Sequence, residues 1–372
     1  MEKEKILVAL SGGVDSAVAA ASLVEQGHDV SAAYMKNWVN EENLPGECPW
    51  ERDASDAESV AAKLGIPFRV VDLVQEYKNR IVLYLLNGYE DGLTPNPDVL
   101  CNREMKFGVF LEAARAAGFR AVATGHYARR VAAPNGGWDI LEGLDPNKDQ
   151  SYFLSLLRQD QAAAARFPVG HLPKPEVRAL ARRYDLPVAE KKDSQGICFI
   201  GKVKMGDFLE AYVPEKPGNI IDLEGRVLGV HRGLHFFTIG QRKGIRVASP
   251  FEGRAYVVVE KRHATRELVI GFDDPATPGL YAQGAWLAGM SFVNRPIARP
   301  SNLLARPRYR APKVEVRVTP HEGGGMAVWF AEPQRALAAG QICALYDGET
   351  LLGGGFFQTI YHEAGPVLPP GN

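Results

Sequence analysis

Two features of this chain bring together residue types that chemistry needs. The first is the hexapeptide Ser11–Ser16, SGGVDS, set between an apolar run and an amphipathic one. Gly12 and Gly13 let the backbone turn sharply and come close to a ligand. The N–H groups that open the following helix point outward along its dipole, so the loop is built to hold an anion. Ser11 and Ser16 can add hydroxyl donors. Asp15 fits as a magnesium partner or phosphate-positioning group, because a bare carboxylate repels phosphate unless a cation intervenes. No glycine loop ending in Gly-Lys-Ser or Gly-Lys-Thr occurs, so the lysine with which a Walker loop holds terminal phosphates is missing, and GxGxxG is absent too.

The second feature is a pair of cysteines in segments that favour the thiolate. Of the four cysteines, Cys48, Cys101, Cys198 and Cys343, no two are close enough for a CxxC zinc or redox motif. Cys101 lies in Thr94–Gly108, TPNPDVLCNREMKFG, where two prolines fix an extended turn and Asp98 stands three residues before the thiol, just ahead of a helix. Cys198 lies in Lys191–Gly201, KKDSQGICFIG, beside Lys191 and Lys192. A thiol of pKa ~8.5 is only a few per cent ionised at neutral pH, and nearby cations or a helix N-terminus raise that fraction. Both segments offer such help. Cys48 and Cys343 read as small buried hydrophobes, Cys343 within the strand-like QICALY.

These residues need a scaffold, and the spacing of apolar positions predicts one. Ile6–Leu10 reads as a buried strand, and Val30–Met35, Phe68–Asp72 and Ala121–Thr124 read as further strands. Val14–Gln26, Asp53–Leu64, Val74–Tyr89, Glu104–Ala117 and Lys174–Tyr184 read as helices, the last opened by Pro175. Such alternation implies an α/β parallel sheet with helices on both faces. After about Gly206 the texture becomes all-β, with Lys313–Thr319 alternating so that Val314, Val316 and Val318 share one face. Asp273–Gly279 is the best linker candidate, and the tail Gly365–Asn372 reads as loose.

At 372 residues and 46% hydrophobic content the chain implies roughly two or three domains. Nothing approaches the ~18 apolar residues of a membrane span, and Met1–Lys5 has neither signal nor transit character, so a cytosolic protein with no membrane partner is expected. The formal net charge is −1, yet local sums differ. Glu41–Val60 sums to −6, Arg226–Arg266 to +7 and Arg295–Arg317 to +6, so the basic stretches are candidate polyanion-binding surfaces.

SGGVDS resembles the PP-loop of ATP pyrophosphatases, in which the α/β phosphate bond is broken and an acceptor oxygen is adenylated. With TPNPDVLCNREMKFG, GHYAR (Gly125–Arg129), KDQSYFL (Lys148–Leu154), DSQGICFIG and TIGQRKG (Thr238–Gly244), the chain closely resembles the tRNA-specific 2-thiouridylases over nearly its whole length. The resemblance implies a PP-loop, adenine nucleotide α-hydrolase-like parallel-sheet domain over residues 1–205. A small central domain over 206–275, a C-terminal β-barrel that binds tRNA over 276–364 and a tail over 365–372 would follow. It implies that Ala9, Leu10, Ser11, Gly12, Gly13, Val14, Asp15, Ser16, Met35 and Gly125 line the ATP site. Asn96, Pro97, Asp98, His126, Lys148, Asp149, Gln150, Arg308, Tyr309 and Gln341 would then address the tRNA. Its cofactors are ATP and Mg2+, and its partners are the anticodon arm of tRNA and a protein that donates persulfide sulfur.

A uracil C2 carbonyl has no leaving group until its oxygen is adenylated. The resemblance implies that Cys198 carries the persulfide, that Cys101 acts on it as nucleophile, and that turnover ends in a Cys101–Cys198 disulfide. Asp98 is the candidate general acid/base. Two rivals stand beside this expectation: another PP-loop ligase that activates an oxygen for attack by ammonia, and an RNA-binding module with a degenerate nucleotide site. The intact SGGVDS argues against the second, and no N-terminal cysteine or glutaminase segment supports the first.

Overall fold

The computed structural model describes residues 3–40, 50–192, 205–363 and 365. Lys5–Ala9 forms strand β1, and its side chains alternate between two cores. Ile6 and Val8 pack with Ala17, Val18 and Ala57, while Leu7 and Ala9 pack with Val99, Cys101 and Phe107. A strand buried on both faces is what a near-continuous apolar run predicts. Helix α1 (Val14–Glu25) follows, its Ala17–Ala21 run combining high helix propensity with a smooth surface against the sheet. It ends at Gln26, and Gly27 takes φ +82° to turn the chain into β2 (Asp29–Lys36). Helix α2 (Trp50–Leu64), β3 (Phe68–Asp72) and, later, β4 (Ala121–Ala123) extend the pattern.

The parallel sheet has five strands in the order β3, β2, β1, β4 and the two-residue strand Ala165–Arg166. Strand order reverses at β1, which opens a crevice beyond the carboxyl ends of β1 and β4, the usual ligand position in open α/β sheets. Ser11–Ser16 leaves β1 there and Thr124–His126 leaves β4 there.

Three differences from the sequence expectation bear on the site. The helix expected from Glu104 starts at Pro97: one α-helical turn (Pro97–Leu100) leads into wider π-helical turns (Cys101–Val109) and then Phe110–Ala116. Asn96 caps this start by accepting the Val99 N–H at 3.3 Å, and Pro97 sits at the first helical position, where a missing N–H costs nothing. Pro97 therefore opens a helix instead of fixing an extended turn. The all-β region begins with a helix, Met205–Tyr212. A hairpin of Ala128–Ala132 and Trp138–Glu142, unanticipated within the α/β half, joins the barrel sheet by pairing Leu141 with Thr350 and Ile140 with Leu351.

The central unit is a four-stranded sheet ordered Tyr256–Arg262, Glu267–Phe272, Gly218–Ile221, Val227–His231. Beyond it, six antiparallel strands close into a barrel through pairing of Tyr281–Phe292 with Thr350–Tyr361. Val316 and Val318 face its interior while Glu315 and Arg317 are exposed, as the alternation predicts.

Barrel and α/β unit are also joined by charge. Arg306 donates to Asp149 at 2.5 Å and to Glu142 at 2.8 Å, and Lys313 donates to the other Glu142 oxygen at 2.7 Å. Asp149 is only 6% exposed. Removing one member of a buried pair strands the other charge, so Arg306→Met should cost about 3 kcal/mol of stability. Urea denaturation checks this; an unchanged midpoint would show that the seam does not depend on the pair.

Candidate active site

The loop after β1 is shaped by backbone contact. Gly12 has φ +72°, and a Cβ there would lie 2.4 Å from the Asp53 carbonyl oxygen, so no side chain fits. Gly125 is equally constrained, because its Cβ would fall 2.6 Å from the Ser16 nitrogen. The GHYAR segment thus lies directly on the start of α1. Ser16 is turned inward: its hydroxyl donates to the Gly13 carbonyl at 3.1 Å and accepts the Ser11 N–H at 3.2 Å. Of the two serines expected to meet phosphate, Ser11 is exposed, and Ser16 braces the loop. Ala9, Leu10, Val14 and Met35 are all buried, with side chains in the two cores, so their access to a nucleotide is through the backbone.

Two lysines meet this loop that its own sequence does not announce. Lys174, at the start of helix Lys174–Arg183 and 9% exposed, donates to Asp15 Oδ1 at 2.6 Å, and Tyr127 Oη donates to the same oxygen at 2.8 Å. Asp15 is therefore neutralised within the protein, and a cation stands beside the loop where a Walker lysine is lacking. Lys191 Nζ donates to Gly12 O at 3.0 Å, Asp53 Oδ1 at 2.7 Å and Asp56 Oδ2 at 2.6 Å. Burial opposes its charge, but the two carboxylates outweigh burial and raise its pKa above the ordinary value. All three Lys191 ammonium protons thus have acceptors in the loop and on α2. Cys198 and Cys48 lie outside the described residues.

The turn carrying Asn96–Asp98 is held from the barrel side. The Thr94 N–H donates to Ala339 O at 2.8 Å, Gln341 Nε2 to Thr94 O at 2.7 Å, and Tyr152 Oη to Ile342 O at 2.9 Å. Asn96 donates to Tyr152 Oη at 3.4 Å, and Tyr309 packs against Phe153 with ring centroids 4.2 Å apart and planes tilted by 43°. Gln150 accepts the Tyr127 N–H at 3.1 Å, which links this seam to Asp15. Asn96, Gln150, Tyr309 and Gln341, expected at the tRNA, are thus brought to one seam, with Arg308 exposed beside Tyr309 and Lys148 half-buried. Asp98 is half-buried, and its carbonyl accepts Asn102 Nδ2 at 3.0 Å. Two expectations change. Asp149 points inward, accepting from the Gly143 and Ser151 N–H groups as well as Arg306, so its carboxylate serves the fold. Cys101, in the core cluster, is 1% exposed, so its sulfur is closed off from bulk solvent in this conformation.

The basic stretches also read differently once folded. Arg226 pairs with Asp222, Arg232 with Glu210 and Glu215, Arg262 with Glu260 and Glu267, and Arg306 and Lys313 with the seam carboxylates. Burial lowers Lys261 to about 8. Among the described residues of the two stretches, nine exposed cations make no ion pair and carry the positive surface that remains: Lys243, Arg246, Arg254 and Arg266 in the first, and Arg295, Arg299, Arg308, Arg310 and Arg317 in the second.

His126, expected at the RNA, is 7% exposed and lies between Phe107 and Phe167, with Nδ1 2.7 Å from Thr124 Oγ1. Burial, with a smaller contribution from Lys106, holds its pKa well below the ordinary value of 6.5, so the ring is neutral. The unfolded chain takes up a proton below that value and the folded one does not. The stability contributed by the neutral ring is complete above it and declines as pH falls through it. Between about pH 7.5 and pH 5, His126→Phe should therefore lose less of its urea midpoint than the parent. Equal losses would place the acid sensitivity elsewhere.

Comparison with known proteins agrees with this architecture. Family models described as tRNA methyl transferase HUP domain, tRNA methyl transferase PRC-barrel domain and Aminomethyltransferase beta-barrel domain match residues 4–202, 206–272 and 285–357. A tRNA-specific 2-thiouridylase MnmA from Akkermansia muciniphila is 63% identical over 96% of this chain and 99% of its own length. Proteins of the same name from Halalkalibacterium halodurans and Pseudomonas fluorescens are 44% and 43% identical, over 97% and 96% of this chain and 95% of each relative. With identity at this level along nearly all of its length, the chain belongs to the tRNA-specific 2-thiouridylase family.

Proposed function

We propose that the protein uses ATP to replace the C2 oxygen of a tRNA uridine, the wobble uridine of the anticodon arm, with sulfur. The observation that carries this reading is the chain of contacts between the anion-holding loop and the barrel seam: Tyr127 donates to Asp15 of the loop and to Gln150, while Gln341 of the barrel holds the turn that bears Asp98, three residues before Cys101. Family membership supports the same reaction.

The C2 oxygen attacks the α-phosphorus, pyrophosphate leaves, and C2 now bears AMP as a leaving group. The Gly13 N–H and the first N–H groups of α1 suit the phosphates, and the close backbone approaches at Gly12 and Gly125 fix the loop that carries them. Mg2+ would accompany the triphosphate, as it does where one or two carboxylates and phosphate oxygens share it. Asp98 would move a proton at the base, and Asn96, which caps the helix and donates to Tyr152, keeps the turn rigid. Cys198 receives the outer sulfur of a persulfide from a donor protein. Either that sulfur attacks C2, with Cys101 then breaking the S–S bond, or Cys101 attacks Cys198 first and frees hydrosulfide. Both routes expel AMP and leave a Cys101–Cys198 disulfide, which two external thiols must reduce, becoming a disulfide themselves. A wobble base is already unpaired, so flipping it out costs little. These reactants belong to the cytosol; among the described residues no helix is long and apolar enough to cross a membrane.

Nucleoside analysis of tRNA incubated with the protein, ATP, Mg2+ and a persulfide source tests the reading: 2-thiouridine should form together with AMP and pyrophosphate. Pyrophosphate without thiouridine would favour a different PP-loop ligase. With labelled persulfide, Cys198→Ser should take up no sulfur yet still release pyrophosphate, whereas Cys101→Ser should load sulfur and transfer it slowly or not at all. Label on Cys101 in preference to Cys198 would reverse the roles. Arg308→Ala should weaken tRNA binding at moderate salt, lower the salt slope by about 1 and leave ATP affinity unchanged. An unaltered slope would remove Arg308 from the phosphate contacts.

A further inference from the structure

The Gly12–Gly13 peptide is the most easily rotated unit in the nucleotide loop. Flipping a peptide requires only that ψ of the first residue and φ of the second counter-rotate, and both residues here lack a Cβ. The direction of this peptide matters, because a planar trans peptide points its C=O and its N–H to opposite sides. The Gly13 N–H donates to no acceptor among the described residues, so it is available to a ligand. A flip would present the Gly12 carbonyl to the same place and repel an anion.

The Gly12 carbonyl is the one that Lys191 holds, at 3.0 Å. An ammonium has three protons, and here they have three acceptors: Gly12 O, Asp53 Oδ1 and Asp56 Oδ2. No proton is left over for a ligand. Direct attraction is also a poor account of the cluster, since one lysine and two carboxylates sum to a negative charge beside a site for phosphate. Asp53 and Asp56 lie three apart on α2 and so share a face, and the Asp53 carbonyl is also what excludes a side chain at residue 12.

We propose that Lys191 is a positioning residue for nucleotide binding: held by Asp53 and Asp56, it pins the Gly12 carbonyl away from the crevice and so aims the Gly13 N–H at a phosphate oxygen. The inference rests on the reading of this loop as the ATP site and adds the part that fixes its donor geometry. Lys191 acts through the backbone and touches no reactant.

The test is calorimetric titration of parent, Lys191→Met and Lys191→Arg with ATP, inorganic pyrophosphate and adenosine. Lys191→Met should bind ATP and pyrophosphate about tenfold more weakly and adenosine as the parent does, since adenosine has no phosphate to meet Gly13. Lys191→Arg, which keeps a donor for Gly12 and the carboxylates, should recover most of the loss. Unchanged pyrophosphate affinity in Lys191→Met, or a parallel loss of adenosine, would overturn the proposal. If Lys191→Met does not fold, Asp56→Asn, which slackens the same lysine, should show a smaller loss confined to the phosphate ligands; no such loss would equally overturn it. A parent that binds neither ATP nor pyrophosphate would refute the assignment of the loop itself, which is a separate failure.

Discussion

Close approach of backbone to backbone is the constraint on which this site depends. Three chain segments meet with no side chain between them: Gly12 lies on the carbonyl of Asp53, and Gly125 lies on the first turn of α1. Side-chain packing cannot tune such contacts, so the geometry is set by the sheet order that brings β1, β4 and α2 together and by glycines that tolerate the approach. Once it is set, the N–H groups that open α1 have few other partners, the arrangement an anion site requires. The polar groups around it, Lys174 and Tyr127 on Asp15 and Lys191 on Gly12, hold that backbone in place.

The second organising relation is between the α/β unit and the barrel. The turn that presents Asn96 and Asp98 belongs to the first but is hydrogen-bonded by Gln341, Ala339 and Ile342 (through Tyr152) of the second. The barrel thus helps to hold the turn that carries Asn96 and Asp98, and on the proposed reading it also offers Arg308 and Tyr309 to RNA. On the proposed reading, RNA held on the barrel and the turn near Cys101 would be linked through these hydrogen bonds.

Much of this was legible in the sequence because it is written in short-range patterns. β1, α1 and β3 appear within a residue of their expected ends, since apolar runs, an alanine-rich amphipathic stretch and a stop glycine act locally. The helix start at Pro97 was missed because proline suits both an extended turn and a first helical position, and the cap by Asn96 decides between them. Lys174 was not legible as a site residue: its partner is 159 positions away, and nothing in KPEVRAL distinguishes it from a solvated lysine. Local charge sums overstated the basic surface for the same reason. They counted Arg226, Arg232 and Arg306 but could not see Asp222, Glu210, Glu215 or Asp149, which lie outside the windows and meet them only after folding.

The hairpin Ala128–Glu142 has a consequence for how the chain is made. Its outer strand completes pairing only with Thr350 and Leu351, near the end of the barrel. During synthesis the first two hundred residues leave the ribosome with that strand edge open, and it stays open until almost the whole polypeptide has followed. Exposed strand edges invite pairing with other chains. The nascent protein therefore passes through an interval in which its α/β half presents an adhesive edge, and the arrival of the last barrel strand ends that interval.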